Sequence, residues 1–145
     1  MSDPKQILRS AKSILLVDWA STTIPRTLVE AGFTVFCASP GRYSVVELVS
    51  KPPEGIDSND IVPPTQNENR YLVFRRLNDR PSHVDIVNVY RPENEHEGIV
   101  ANYVAPLGAR VLWLQPSIGS GVARRLSLEH GVDLVEGVDI AGAVR

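Results

Sequence analysis

Apolar residues in this chain concentrate in short runs separated by longer amphipathic stretches. Ile14–Val17 is an unbroken run, and Phe33–Ala38, Val84–Tyr90 and Val111–Gln115 are predominantly apolar at strand length, the pattern of strands buried on both faces. Between them the spacing turns helical. Pro4 to Ser13 puts Ile7, Leu8 and Ala11 on one side and Lys5, Arg9 and Lys12 toward water. Leu28, Val29 and Ala31 give a stripe to a helix with Pro25 in its first turn, and Gly32 is a suitable residue to end it. Further helices are expected over Glu95–Leu107 and over Val122–His130, the latter ending at Gly131. Val132–Val135 reads as a last strand, and the small-residue tail from Gly137 is expected on the surface. Arg42 to Arg70 is weaker: one short element holding Val45, Val46, Leu48 and Val49, then a long exposed loop with Pro52, Pro53, Pro63 and Pro64. Tyr71–Leu77 fits a helix turn or a strand. Strands alternating with helices predict an α/β protein, its mostly parallel sheet doubly wound with helices on both faces.

Length and composition leave room for one such Rossmann-like domain over 1–145, with a polar insertion around 52–70. The chain has 145 residues, 43% of them hydrophobic, and a net charge of −2. That balance offers no basic face for nucleic acid. No apolar run approaches the roughly 20 residues of a membrane span, and Cys37 is the only cysteine, so no internal disulfide forms. A cytoplasmic protein is expected.

In doubly wound sheets ligands bind beyond the carboxyl ends of the strands, so the residues there carry the functional reading. Val111–Gln115 runs into Pro116-Ser117-Ile118-Gly119-Ser120-Gly121 and then a helix, and Ile14–Val17 runs into Asp18-Trp19-Ala20-Ser21-Thr22-Thr23 and then a helix. Backbone N–H groups at helix starts face anions; the Ser/Gly turn is the stronger phosphate candidate of the two. Ordinary dinucleotide binding is disfavoured, because the first loop has no Gly and the second strand ends in Cys37-Ala38-Ser39-Pro40 without an acidic residue. Arg42, just beyond, offers a planar fork to phosphate oxygens. Trp19 either packs on an adenine ring or caps the sheet.

Catalytic signals are weak, and no catalytic residue or metal ligand is assigned. His83, His96 and His130 are expected to be solvated and share no metal-like spacing. Ser117 and Ser120 are better read as N-caps than as nucleophiles. Glu93, Glu95 and Glu97 crowd a helix start, where carboxylates favour the macrodipole. Trp113 is expected in the core, and Cys37 buried and inert.

Four segments together resemble the small stand-alone CoA-binding proteins, whose fold is also that of the first domain of the succinyl-CoA synthetase alpha subunit. They are V-D-W-A-S, A-S-P-G, V-D-I-V-N-V-Y-R-P and A-R-V-L-W-L-Q-P-S-I-G, and the resemblance runs from about Ser13 to Val135. It implies coenzyme A as ligand. Ala20 and Ser21 then lie in the first phosphate loop, Ser39 and Pro40 border the adenosine side, Tyr90 and Arg91 end the third strand, and Gln115, Ile118 and Gly119 form the opposite lip, beside Ser117. The family's usual Gly is replaced by Asp18 or Trp19, and a carboxylate there repels phosphate unless it turns away. The expected function is that of a CoA or acyl-CoA binding or sensor module. A small enzyme acting on a nucleotide or phosphorylated metabolite through Ser117 or His96 is the first alternative. An interaction module that kept the fold and lost the ligand is the second. A homo-oligomer or a protein partner is left open.

Overall fold

The computed structural model describes residues 3–39 and 42–145. Asp3 caps the first helix, accepting from Lys5 N at 3.1 Å, and α1 (Pro4–Ser10) buries Ile7 and Leu8. It stops short of the expected Ser13: Ala11 is already extended, and the N–H groups of Lys12 and Ser13 donate to the Asp85 carboxylate at 2.7 and 3.1 Å. These bonds turn the chain into β1 (Ser13–Val17). α2 (Thr23–Glu30) and β2 (Thr34–Ser39) follow, with Gly32 at φ +100 making the turn between them.

The next stretch departs from expectation. Arg42 to Val49 is a full eight-residue strand, β3, rather than a short element. It pairs antiparallel with β2, Ser39 opposite Arg42, and with β5 (Tyr71–Leu77), which settles that segment as strand. β4 (Ile61–Val62) edges β5. The insertion before β5 is exposed along much of its length but tethered at its end. Arg26 of α2, only 6% exposed, meets Glu68 at 3.0 Å and donates to the Arg70 carbonyl at 2.8 Å.

β6 (Ile86–Val89), α3 (His96–Ile99, continued as a π-helical stretch over Val100–Val104), β7 (Val111–Leu114), α4 (Gly121–His130), β8 (Asp133–Val135) and α5 (Ile140–Ala143) complete the chain. The sheet has eight strands in the order β4-β5-β3-β2-β1-β6-β7-β8. The four apolar runs are parallel neighbours in it, as their alternation with helices implies, and β8 adds a fifth. One face packs Ile7, Leu8, Ile24, Leu28 and Ile140 against Ile14, Leu16, Ile86 and Trp113. The other packs Ile99, Val104, Leu107, Ala123 and Leu126 against Leu15, Val87, Leu112 and Leu114. Trp113 and Cys37 are core residues as expected; burial pushes the Cys37 thiol far up, away from the reactive thiolate.

The tail corrects the sequence reading. Ile140 and Ala141 are 0% and 2% exposed, because Asp139 caps a short helix, accepting from Ala141 N and Gly142 N at 3.3 and 3.2 Å. Its apolar side then closes over Trp113, whose indole N–H reaches the Val138 carbonyl at 2.8 Å. No described helix is long and apolar enough to cross a membrane.

Candidate functional site

From β1 the chain winds through α2 to β2 on one side, and from the antiparallel strands it returns to β6 on the other side of β1. Strand order therefore reverses between β1 and β6, opening a crevice at their carboxyl ends. Two clefts flank it. The first, of about 360 Å³, is lined by Val17, Asp18, Trp19, Ala38, Ser39, Arg91, Glu95, Ile99 and Tyr103. Ala20, Ser21, Tyr90, Gln115 and Ser117 line the second, of about 520 Å³, with Thr23, Asp139, Ala141 and Arg145 among their neighbours. Most residues expected from the sequence thus converge, divided at Trp19–Ala20 and at Tyr90–Arg91. Arg42 is exposed at the start of β3, and Gly119 is exposed. Ile118 is half-buried against the α3/α4 layer and lines neither cleft. Pro40 lies outside the described residues.

The first loop is built around Asp18, whose backbone sits at φ +67. That left-handed conformation suits Gly and is tolerated by Asp. The carboxylate does not turn away: Oδ1 accepts from Trp19 N at 2.8 Å and Oδ2 from Arg91 Nη1 at 3.0 Å. Glu95 takes the rest of the Arg91 fork, accepting from Nε at 3.0 and 3.1 Å and from Nη2 at 2.6 Å. Arg91 is thereby held firmly charged, by Glu95 first and then Asp18, and the Glu95 carboxyl lies below its ordinary range because of Arg91. Trp19 caps the sheet, stacking on Phe74 at 5.4 Å with 6° between ring planes.

Beyond Trp19 the loop opens α2 with bare backbone. Thr22 makes no side-chain cap, and the first turn holds no acid. No described group accepts from the N–H groups of Ser21, Thr22 or Thr23. This helix start faces the second cleft through Ala20, Ser21 and Thr23.

The Ser/Gly turn before α4 is filled instead. Ser120 caps it, accepting from Ala123 N at 2.8 Å. Glu93 reaches across from the β6 loop and accepts from Val122 N at 3.2 Å, a bond that leads the lowering of its carboxyl below the ordinary range. The stronger phosphate candidate from the sequence is therefore occupied by the protein's own carboxylate. Ser120 bears out its reading as a cap; Ser117 does not, standing exposed at φ +71.

His96 is a further correction. It is 1% exposed rather than solvated, with Nε2 2.8 Å from the Arg91 carbonyl and Nδ1 2.8 Å from Ser120 Oγ. A carbonyl only accepts, so Nε2 donates to it, while Nδ1 pairs with the Ser120 hydroxyl. Both ring nitrogens are engaged in holding the Arg91 turn against α4. His83, on the surface, meets Asp85 at 2.9 Å. Burial pushes the Asp85 carboxyl up, but the bonds from Lys12 N, His83 and Ser13 N outweigh it and hold it at about 2.

Sequence reasoning missed Tyr103, Asp139, Arg145 and the pairing of Glu95 with Arg91. The last carried a signal, the i,i+4 spacing. Beneath the second cleft, Asn88 Nδ2 donates to Gln115 Oε1 at 3.0 Å, Ile140 N donates to the same oxygen at 3.0 Å, and Gln115 Nε2 donates to Asp139 Oδ1 at 2.9 Å. This chain of bonds gives the cleft a fixed polar floor.

A family model described as a CoA binding domain matches residues 17–138. Two solved structures are similar in fold. A crystal structure of Prb, a PH1109 protein redesigned for binding, aligns with a TM-score of 0.67 at 19% identity, covering 97% of this chain and 87% of that one. The structure of cell-free ID.343 from Thermus thermophilus aligns with a TM-score of 0.64 at 19% identity, covering 98% and 96%. No curated protein sequence matches the chain.

Proposed function

This chain belongs to the CoA-binding domain family, and we propose that it binds CoA or an acyl-CoA as a non-catalytic binding or sensor module, with the diphosphate at the start of α2. The observation that carries this reading is the bare start of that helix, opening on a cleft of about 520 Å³ at the strand-order reversal. Free N–H groups and the positive end of the helix dipole meet an anion there without a side chain to displace. The exposed Arg42 and Arg145 add positive charge, Arg145 as part of the cleft wall. The engagement of Ser120 and His96 in internal bonds favours binding over nucleophilic chemistry at that pair.

CoA is expected to raise the melting temperature by mass action on the folded state and to be carried through purification, where mass spectrometry detects it. Turnover of acyl-CoA or nucleotide substrates that disappears in Ser117→Ala would favour the enzyme alternative. The interaction-module reading draws on a different observation: Asp18 and Glu93 each put a carboxylate where a ligand anion would sit. Absence of CoA binding both in the parent protein and in Asp18→Gly would establish that reading instead.

A further inference from the structure

We propose that Asp18 is a specificity-determining residue: its carboxylate reserves the first cleft for an uncharged, hydroxyl-bearing part of the ligand, so that 3′-dephospho-CoA binds more tightly than CoA. This rests on the CoA reading above and concerns which form of the ligand the site prefers.

The loop N–H and the guanidinium of this cleft are already used, which leaves the neutral hydroxyls of Ser39 and Tyr103 in its lining. Trp19 N–H is taken by Asp18 Oδ1 at 2.8 Å. The Arg91 fork is closed on both edges, Nη1 by Asp18 and Nε and Nη2 by Glu95. Two carboxylates thus face one guanidinium within the cleft lining, and the local balance is negative. The cleft also includes the end of β2, Ala38 and Ser39, the place where a nucleotide bound across a strand-order reversal puts its ribose. β2 itself ends without an acid, but Asp18 from the end of β1 and Glu95 from the start of α3 line the same cleft. A carboxylate beside a ribose accepts from its hydroxyls, whereas a ribose phosphate there needs an unpaired cation. CoA carries a phosphate on its ribose 3′ oxygen, and 3′-dephospho-CoA carries a hydroxyl. The diphosphate that both share is met outside this cleft, at the bare start of α2. Arg42 is a rival: exposed, and opposite Ser39 in the β2–β3 pairing, it stands close enough in sequence and register to compete for a ribose phosphate.

The test is titration calorimetry at low salt with CoA and 3′-dephospho-CoA, on the parent protein and on Asp18→Asn. Asn tolerates the left-handed backbone of position 18 and keeps its size, so the fold is retained. The parent is expected to bind 3′-dephospho-CoA about three- to tenfold more tightly, a preference that shrinks as salt is raised. Asp18→Asn should tighten CoA by a similar factor, with less effect on the dephospho form, and bring the ratio to one or below. A parent that binds CoA at least as tightly, or a ratio unmoved by Asp18→Asn, overturns the proposal while the CoA reading stands. Loss of CoA affinity alone in Arg42→Ala would then assign the ribose phosphate to Arg42. If neither compound binds the parent or the variant, the CoA reading fails and takes this proposal with it.

Discussion

The loops after β1 and β7 look alike in the sequence and end up in opposite states. Each leaves a buried parallel strand, passes through a non-glycine residue in the left-handed region, Asp18 at φ +67 or Ser117 at φ +71, and enters a helix. At α4 the chain closes the helix start with Ser120, with Glu93 from a neighbouring loop, and with His96 behind Ser120. At α2 there is no side-chain cap and no first-turn acid. Unpaired helix-start N–H groups cost stability unless water or a ligand meets them. The chain caps one start with two side chains and leaves its twin bare beside a cleft, the separation of anchor from receptor that the proposed CoA site requires.

The largest expected effect comes from breaking the anchor. Ser120→Ala removes the cap and leaves the buried His96 Nδ1 without its partner. The two losses together should cost about 2–4 kcal/mol, a fall in Tm of roughly 5–15 °C by calorimetry. The CoA-induced rise in Tm should persist at reduced absolute temperature. Loss of the ligand response with little change in stability would mean that α4, not α2, is the receptor.

Filling the receptor is the complementary experiment. Thr22→Asp puts a carboxylate at the start of α2, as Glu93 does at α4, although Pro25 has no N–H to give it and Ile24 N is already bonded to the Ser21 carbonyl. Helix stability should rise by about 0.3–1 kcal/mol through the macrodipole alone, while CoA affinity falls by roughly 5- to 150-fold through like-charge repulsion of the diphosphate. Unchanged affinity would place the diphosphate elsewhere.

The same contrast explains how far the sequence could be read. Apolar-rich runs such as Ile14–Val17 locate the parallel strands because burial on both faces leaves few polar positions in them, Asn88 in β6 being one. Helix stops at Gly32 and Gly131 are equally local. β3 escaped because its residues are mostly half-buried, with Val46 alone fully enclosed, so neither alternation nor a solid run stands out. The tail escaped for a related reason: Asp139-Ile140-Ala141 is a cap and an apolar pair too short to show a period. In the site, the strand ends were legible and the state of their donors was not. Gly and Ser mark Pro116–Gly121 as backbone-rich, but its occupant, Glu93, lies 29 residues away from Val122. His96 meets Ser120 across 24 residues, and the pattern around His96 resembles that of any surface His near a helix start.

The two left-handed residues give a smaller, more discriminating comparison. Ser117 is exposed, so Ser117→Gly should relieve backbone strain and leave stability unchanged or higher by up to about 1 kcal/mol. Asp18→Gly relieves the same strain but forfeits the bonds to Trp19 N and Arg91. It should therefore show no such gain in denaturant midpoint, even as it tightens CoA. Equal gains at both positions would mean that the Asp18 bonds contribute nothing to the fold.

The smallest effect concerns acid. Glu93 has its carboxyl below the ordinary range, chiefly through the bond from Val122 N. A carboxylate lowered on folding contributes stability that is complete above its unfolded value, near pH 4.3–4.5 on the usual scale, and that is lost as pH falls through the lower folded value. The start of α4 should accordingly loosen in acid, seen as reduced hydrogen-exchange protection at Val122 after correction for the intrinsic pH dependence. In Glu93→Gln that acid-dependent loss should disappear, since Gln cannot titrate and its amide oxygen still accepts from Val122 N, more weakly. The first turn of α2 has no carboxylate to protonate and should change little over the same range. Matching loss at both helix starts would erase the distinction between a capped anchor and an open receptor, because acid would then be acting on the fold as a whole.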